Sequence, residues 1–377
     1  MNKRISILIL SALLLASCER QSTGSQESIS KVTIDTVLVD SGDEILMAAS
    51  NMFLSGFSQD YSKLYHYINA SGELEVIDLN QLKLEKKLKV EKEGPDGVGM
   101  VNWFDFWNDS IFVFYNFNRI ELLTTHLTKA SSVNLRNSAL GKEALGEGYM
   151  FQNTFTLLDR PNQLLSAVTA LNSDLLHLAF LDFENETVDI INNDELLEIN
   201  DYSVIFKEGR NTRSIIQPVG MLYWNTLAYI FNQANNKIFS YDPESKQLSS
   251  VHVEEGQVKG TKSKTYRLET DSWDEFRNQV SVLDEELKFN RLVHDPTSNE
   301  FYRIAYHKTK PAHEDNPARW DAYLLKYDKN FKLLAEVKIL DNTHTAPDFS
   351  DYFIKDGKLW LRVNINDELG FVRFHVN

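Results

Sequence analysis

Cysteine is all but absent from this chain of 377 residues: Cys18 is the only one. No internal disulfide can form, so the fold must be held by its core. Proline is sparse, and after residue 16 no apolar run approaches the roughly 20 residues that a spanning helix needs. Basic residues are outnumbered 39 to 54, giving a formal charge of −15. That balance argues against nucleic acid and against a polybasic grip on anionic lipid, because both need a basic footprint. Catalytic signatures are missing too. The nine histidines are scattered without HEXXH spacing, which argues against a predefined zinc site, and there is no GxSxG elbow. No cofactor is expected.

What is present begins at the amino terminus. Lys3 and Arg4 precede an apolar run, Ile5 to Ala16, of signal-peptide length. Leu15-Ala16-Ser17-Cys18 follows, a branched apolar residue and two small ones before Cys, which is the bacterial lipobox. Residues 1–17 are therefore expected to be a cleaved lipoprotein signal peptide, with Cys18 lipidated and acylated as the first mature residue. Each buried acyl CH₂ contributes about 0.8 kcal/mol, so two or three chains on one residue give lasting attachment to the membrane. Residues 18–30 are polar and Gly/Ser/Gln-rich, as a flexible tether should be. The expected address is the cell envelope, with the outer membrane favoured over the inner.

From residue 31 to 377 the chain reads as one all-β domain. A strand ending in Asp, a polar turn and a second strand recur at Asp78, Asp182, Asp242 and Asp328. A degenerate copy starts at Ile111, and a last hairpin, Leu359 onward, closes the chain. The Asp positions lie 104, 60 and 86 residues apart. The first interval holds the degenerate copy and the last an insertion, so the unit is about 50–60 residues, near the period of four-stranded propeller blades. A β-propeller of six blades, or seven, is expected, in preference to a sandwich, which at this length would need two domains and a linker. Lys31 to Val39 alternates like a strand and is expected to pair with the carboxy-terminal strands, removing open edges. One stretch breaks the pattern. Ser272-Trp273-Asp274-Glu275 is a capping box, and Trp273, Phe276, Val280, Leu283 and Leu287 form an apolar stripe. An inserted amphipathic helix near 272–287 is expected to pack on a blade or across one propeller face.

The lipobox, the turn Glu93-Gly94-Pro95-Asp96-Gly97-Val98-Gly99 and the carboxy-terminal third together resemble a family of uncharacterised bacterial lipoproteins with a domain of unknown function. In that third, Arg291-Leu-Val-His-Asp-Pro precedes Glu300-Phe-Tyr-Arg-Ile304, and a strand ending in Tyr327-Asp328 follows. That family is itself similar to six-bladed propeller lipoproteins. The resemblance implies fold and location and brings no activity.

Candidate ligand-binding residues are few. Gly94, Pro95 and Gly97 sit in a turn whose backbone N–H groups can line a site; the turn lacks the Gly-Lys-Ser/Thr ending of a phosphate loop. Tyr302, Arg303 and His307 lie on an aromatic strand where a cation among rings suits a carboxylate or sugar; a structural ion pair between blades is the commoner role for such an Arg. His313 to Asn316 reads as an exposed loop, and Trp103 to Trp107 as a fully buried strand rather than a sugar platform. The expected function is binding or scaffolding of an envelope protein, peptide or glycan. The alternative is a lactonase- or lyase-like enzyme with a metal or carboxylate in the channel. Replacing Cys18 by Ala is expected to move the exported, still-folded chain from the membrane to the soluble fraction on cell fractionation. Retention of the variant on membranes would show that Cys18 is not the anchor.

Overall fold

The recurring Asp earns its place by closing a hairpin. In the computed structural model, Asp78, Asp182, Asp242 and Asp328 each stand at the end of a strand. Their carboxylates accept backbone N–H groups two to four residues ahead, from Asn80 and Gln81, Glu184 and Asn185, Glu244, and Asn330 and Lys332, at 2.7–3.0 Å. This is the Asx-turn, in which the side chain substitutes for a backbone partner. Leu82, Glu186, Lys246 and Phe331 then take positive φ and turn the chain into the next strand.

The structure describes residues 32–46, 52–116, 119–146, 149–157, 160–170, 174–310, 317–343 and 352–376. The expected signal peptide at residues 1–17, Cys18, the expected tether at 18–30 and the His313–Asn316 segment lie outside them. Among the described residues there are six four-stranded antiparallel sheets, five of them meanders of strands adjacent in sequence. Sheets 1 and 2 run from Ser55–Phe57 to Lys83–Lys89 and from Trp103–Trp107 to Lys129–Asn134. Sheets 3 and 4 run from Tyr149–Leu157 to Thr187–Ile191 and from Val219–Trp224 to Gln247–Val251. Sheet 5 runs from Lys288–Asp295 to Leu333–Thr343. Sheet 6 holds Tyr352–Lys355, Lys358–Ile365 and Glu368–Val376, and its outermost strand is Val32–Leu38 from the other end of the chain. The two termini pair over seven residues, Val32 opposite Val376 to Leu38 opposite Gly370. The expected closure is observed.

Six apolar clusters join consecutive sheets, the last of them joining sheet 6 back to sheet 1 through Phe353, Trp360 and Phe371 against Leu64, Ile77 and Leu84. Sheets packed face to face in a closed circuit, with their first strands innermost, make a β-propeller. Sheets 1 and 2 are in close contact at Gly56, where a Cβ would stand 2.6 Å from the Phe106 backbone nitrogen. Only glycine fits there.

Sheets 4 and 5 are bolted by Arg303, which is fully buried. Its guanidinium donates to the Asn232 carbonyl at 2.5 Å, Asn236 Oδ1 at 2.8 Å and the Asn290 carbonyl at 2.9 Å. The rings of Phe231 and Phe289 lie 5.5 and 5.0 Å from it. Burial pulls its pKa down to about 10, which still leaves it cationic at neutral pH. No carboxylate is among these partners, so it is a hydrogen-bonded bolt rather than an ion pair.

The inserted helix spans Trp273–Glu285, slightly shorter than expected, with Leu287 falling beyond its end. Ser272 caps it, accepting from Glu275 N at 3.3 Å. The reciprocal bond of a capping box is relayed. Ser272 N–H donates to Thr270 Oγ1, which donates to the Glu275 carboxylate. The helix buries Phe276 and Leu283 on a small third layer, in which Val204–Glu208 pairs antiparallel with Asn211–Ile215 and parallel with Leu268–Thr270. These strands come from the two connections flanking sheet 4, and periodicity alone did not foretell them. Among the described residues no helix is long and apolar enough to cross a membrane.

Removing the Arg303 side chain breaks its three hydrogen bonds and leaves a void between two rings. Arg303→Ala is therefore expected to lower stability by about 3–5 kcal/mol in denaturant unfolding. A loss under about 1 kcal/mol would show that the guanidinium does not join the sheets.

Candidate functional site

The first strands of five sheets line a cavity of about 500 Å³, and Leu165 adds a side chain from sheet 3. That volume lies within the usual range for small-molecule sites. Aromatic residues make up about a third of its lining, beside amides and hydroxyls such as Gln59, Asn108, Asn232 and Gln233. Phe53, Phe57 and Tyr61 come from around the first strand of sheet 1, Trp103 and Phe106 from sheet 2, and Tyr223, Trp224 and Phe231 from sheet 4. Neighbouring rings brace one another, with Phe53 and Trp103 5.0 Å apart and Phe57 and Phe353 4.7 Å apart between centroids.

Asp105 stands in this aromatic wall. It lies mid-strand between Phe104, which is buried in the core between sheets 1 and 2, and Phe106. Alternation along the strand turns Trp103, Asp105 and Trp107 to one side, and both Trp103 and Asp105 are half-buried at the cavity. Among the described residues its carboxylate has one hydrogen bond, from Phe106 N at 2.8 Å. Burial outweighs that bond and the attraction of Arg291, and pushes its pKa up from 3.8 to about 6.

Arg291 faces it from sheet 5. Its Nη2 donates to the Tyr352 carbonyl, and its guanidinium lies 5.4 Å from the Tyr352 ring centroid. It is close enough to act on the ionisation of both Asp105 and Tyr61. Tyr61 is held by the turn after the first strand of sheet 1. Its N–H donates to the Ser58 carbonyl at 2.9 Å, and its φ of +53° is costly for so bulky a residue. Asp60 locks that turn by accepting from Ser58 Oγ at 2.7 Å and Ser62 N at 2.9 Å. The Tyr61 ring stacks on Phe57, and burial pushes its hydroxyl up to about 12, so it is a neutral donor.

At the rim, His294 lies 4.7 Å from the Trp224 ring and its Nε2 is 3.1 Å from Asn299 Oδ1. Burial lowers its pKa, so it is uncharged at neutral pH. Ser55 Oγ lies 2.7 Å from Nδ1 of the buried His66, whose pKa burial also depresses. The arrangement can desolvate an apolar ligand, stack on it and present one carboxylate and one guanidinium from different sheets. Among the described residues no three His, Cys, Asp or Glu side chains group as a metal ion requires.

None of the six ligand candidates from the sequence lines the cavity. Gly94, Pro95 and Gly97 form an exposed turn after the outermost strand of sheet 1. The Gly97, Val98 and Gly99 N–H groups are taken by carbonyls of Gly94, Glu91 and Lys92 at 3.0–3.1 Å. Tyr302 is buried, its hydroxyl donating to Glu300 at 3.0 Å. His307 is half-buried and stacked on Tyr323. Arg303 lies behind the cavity wall, sandwiched by Phe231 and Phe289, whose other atoms line it. Trp103 to Trp107 needs correcting, for it is not a fully buried strand, and through Trp103, Asp105 and Phe106 it forms part of the site. The signal was present, since an Asp amid four aromatic residues on one strand is costly unless it has work to do.

The fold and this cavity define a β-propeller with a ligand-sized central chamber. The chain belongs to the DUF4221 family, a domain of unknown function, whose model matches residues 28–338. It is similar to a crystal structure of a DUF4221 member from Bacteroides vulgatus, at 14% identity and TM-score 0.64, over 93% of this chain and 99% of that one. It is also similar to a Bacteroides fragilis protein described as exported, at 11% identity and TM-score 0.51, over 93% and 96% of the two chains. No curated protein matched the chain.

Unfolding should report Asp105. The folded pKa near 6 exceeds the unfolded 3.8, so between these values the native state binds more protons. Stability then falls as pH rises from about 4 to 6 and is flat above. Asp105→Asn keeps an acceptor for Phe106 N and is expected to stabilise the unliganded protein by about 1–3 kcal/mol at pH 7.5 and by little at pH 4. An equal gain at both pH values would show that the carboxyl does not titrate in this range.

Proposed function

We propose that this protein is a lipid-tethered binding protein of the cell envelope, which captures a small, largely apolar organic ligand in its central cavity. One observation carries the reading: an aromatic chamber of about 500 Å³ that holds an isolated carboxyl, Asp105, at a cost to stability. Proteins keep such destabilising groups where function needs them. The lipobox at Cys18 and the likeness to a protein described as exported support the address. A tether of about a dozen residues holds the domain off the bilayer on the outer membrane, the favoured of the two. In this reading the aromatic side chains supply most of the affinity by leaving water, and the few polar groups fix the ligand's orientation.

The neutral fluorophore N-phenyl-1-naphthylamine serves as a first probe, titrated against the purified full-length chain. Saturable one-to-one binding is expected, weakened at least ten-fold by Leu222→Trp, which narrows the cavity from sheet 4. An unchanged melting temperature would show that the variant has kept its fold. Binding that ignores the substitution, or no binding, would overturn the reading.

A further inference from the structure

Among the described residues that line the chamber, Asp105 is the only acidic one. It borders the space from the first strand of sheet 2, and its one hydrogen bond among those residues comes from Phe106 N at 2.8 Å. The other charges nearby are held by the protein. Arg291, on sheet 5, donates through Nη2 to the Tyr352 carbonyl, and its guanidinium lies 5.4 Å from the Tyr352 ring centroid. Further along the same strand Asp295 is fully buried outside the lining, where it accepts from Thr297 N, Ser298 Oγ and Gly357 N at 2.9–3.0 Å. Arg291 and Asp295 act on the Tyr61 hydroxyl in opposite directions, so the charges of this strand partly offset one another at the chamber. On Asp105, Arg291 is the weakest of three influences, behind burial and the Phe106 N–H.

A ligand entering this chamber displaces water from Asp105. A neutral apolar body leaves the carboxylate desolvated, which is costly. An anion meets it with like charge. A cation that carries N–H groups supplies an opposite charge and a hydrogen bond together, and charge-assisted bonds of that kind are stronger than neutral ones. The neighbouring rings suit the same guest. Trp103 lies on the Asp105 side of their strand, and Phe57, Phe106 and Trp224 also line the chamber. Ring faces attract an ammonium and cover the hydrocarbon attached to it. Tyr61, a neutral donor, and His294, uncharged at neutral pH, add no competing cation.

We propose that the cavity binds an organic amine with an aromatic or branched apolar body, its ammonium on Asp105 and its body among Trp103, Phe106, Phe57 and Trp224. This rests on the binding reading above and names its ligand class. Arg291 keeps its own protein contacts and takes no part in holding the ligand. Because it borders the same space, a guest with one compact cation is favoured over a polyamine, whose further charges would approach the guanidinium.

Three probes of similar shape separate the alternatives: 2-phenylethylamine, a cation at pH 7.5 like other aliphatic amines, the neutral 2-phenylethanol and the anion 3-phenylpropionate. Calorimetric titration of the full-length chain at pH 7.5 is expected to show the amine binding at least ten-fold tighter than the alcohol, and the anion weakest. Asp105→Asn should weaken the amine at least ten-fold and bring it within about three-fold of the alcohol. Since that variant is expected to be more stable, a loss of binding cannot be put down to misfolding. An alcohol or anion that binds as tightly as the amine, or an amine indifferent to Asp105→Asn, would each overturn the proposal. If none of the three binds while N-phenyl-1-naphthylamine does, the amine is wrong and the binding cavity stands. If that probe fails as well, both readings fall together.

Discussion

Face-to-face burial of apolar sheets is the constraint from which everything else follows. Each sheet carries apolar side chains on both faces, as Phe301 and Ala305 show on one face of their strand, and Tyr302 and Ile304 on the other. A sheet of that kind needs two neighbours, and a row of such sheets has two uncovered ends unless it closes. Closure here falls to Val32–Leu38, which completes sheet 6 as its outermost strand. With no disulfide available, that pairing and the cluster of Phe353, Trp360 and Phe371 against sheet 1 hold the first and last parts of the chain together.

Closure also creates the site. The first strands of five sheets converge at the centre, and the side chains they turn inward have no partner strand to cover them. The chamber is what remains at the centre. Placing a carboxyl there raises its pKa and costs stability, whereas placing Arg303 one layer further out, among three oxygen acceptors and two rings, helps to hold sheets 4 and 5. Two charged residues, each on an aromatic strand, thus play opposite roles. The difference lies in what surrounds each side chain, not in the local sequence.

Much of the architecture was legible. The recurring strand-Asp-turn read as a repeat because its chemistry is local: a carboxylate reaches N–H groups a few residues ahead whatever the sheet packs against. The helix at Trp273 was legible for the same reason, through a cap and a stripe within one short segment. The three-stranded layer beneath it was not, since Val204–Glu208 and Leu268–Thr270 are more than sixty residues apart and pair in parallel. Nor was the site, whose walls come from segments between Phe53 and Ile354. Tyr302, Arg303 and His307 drew attention as a cation among aromatics, but the Arg points into an interface, and Asp105 passed as core because its neighbours are all hydrophobic.

By itself, the sequence determined the local elements: the lipobox motif, the hairpins with their Asx-turns, the capped helix, and the reliance on a core rather than on disulfides. Each depends on residues within a few positions of one another, where backbone geometry leaves little choice. Only the tertiary structure decided that the ends of the chain meet, that Arg303 is a bolt, and that Asp105 and Arg291 face one cavity from different sheets. Those outcomes depend on desolvation and on distances between segments up to hundreds of residues apart, which no local pattern encodes.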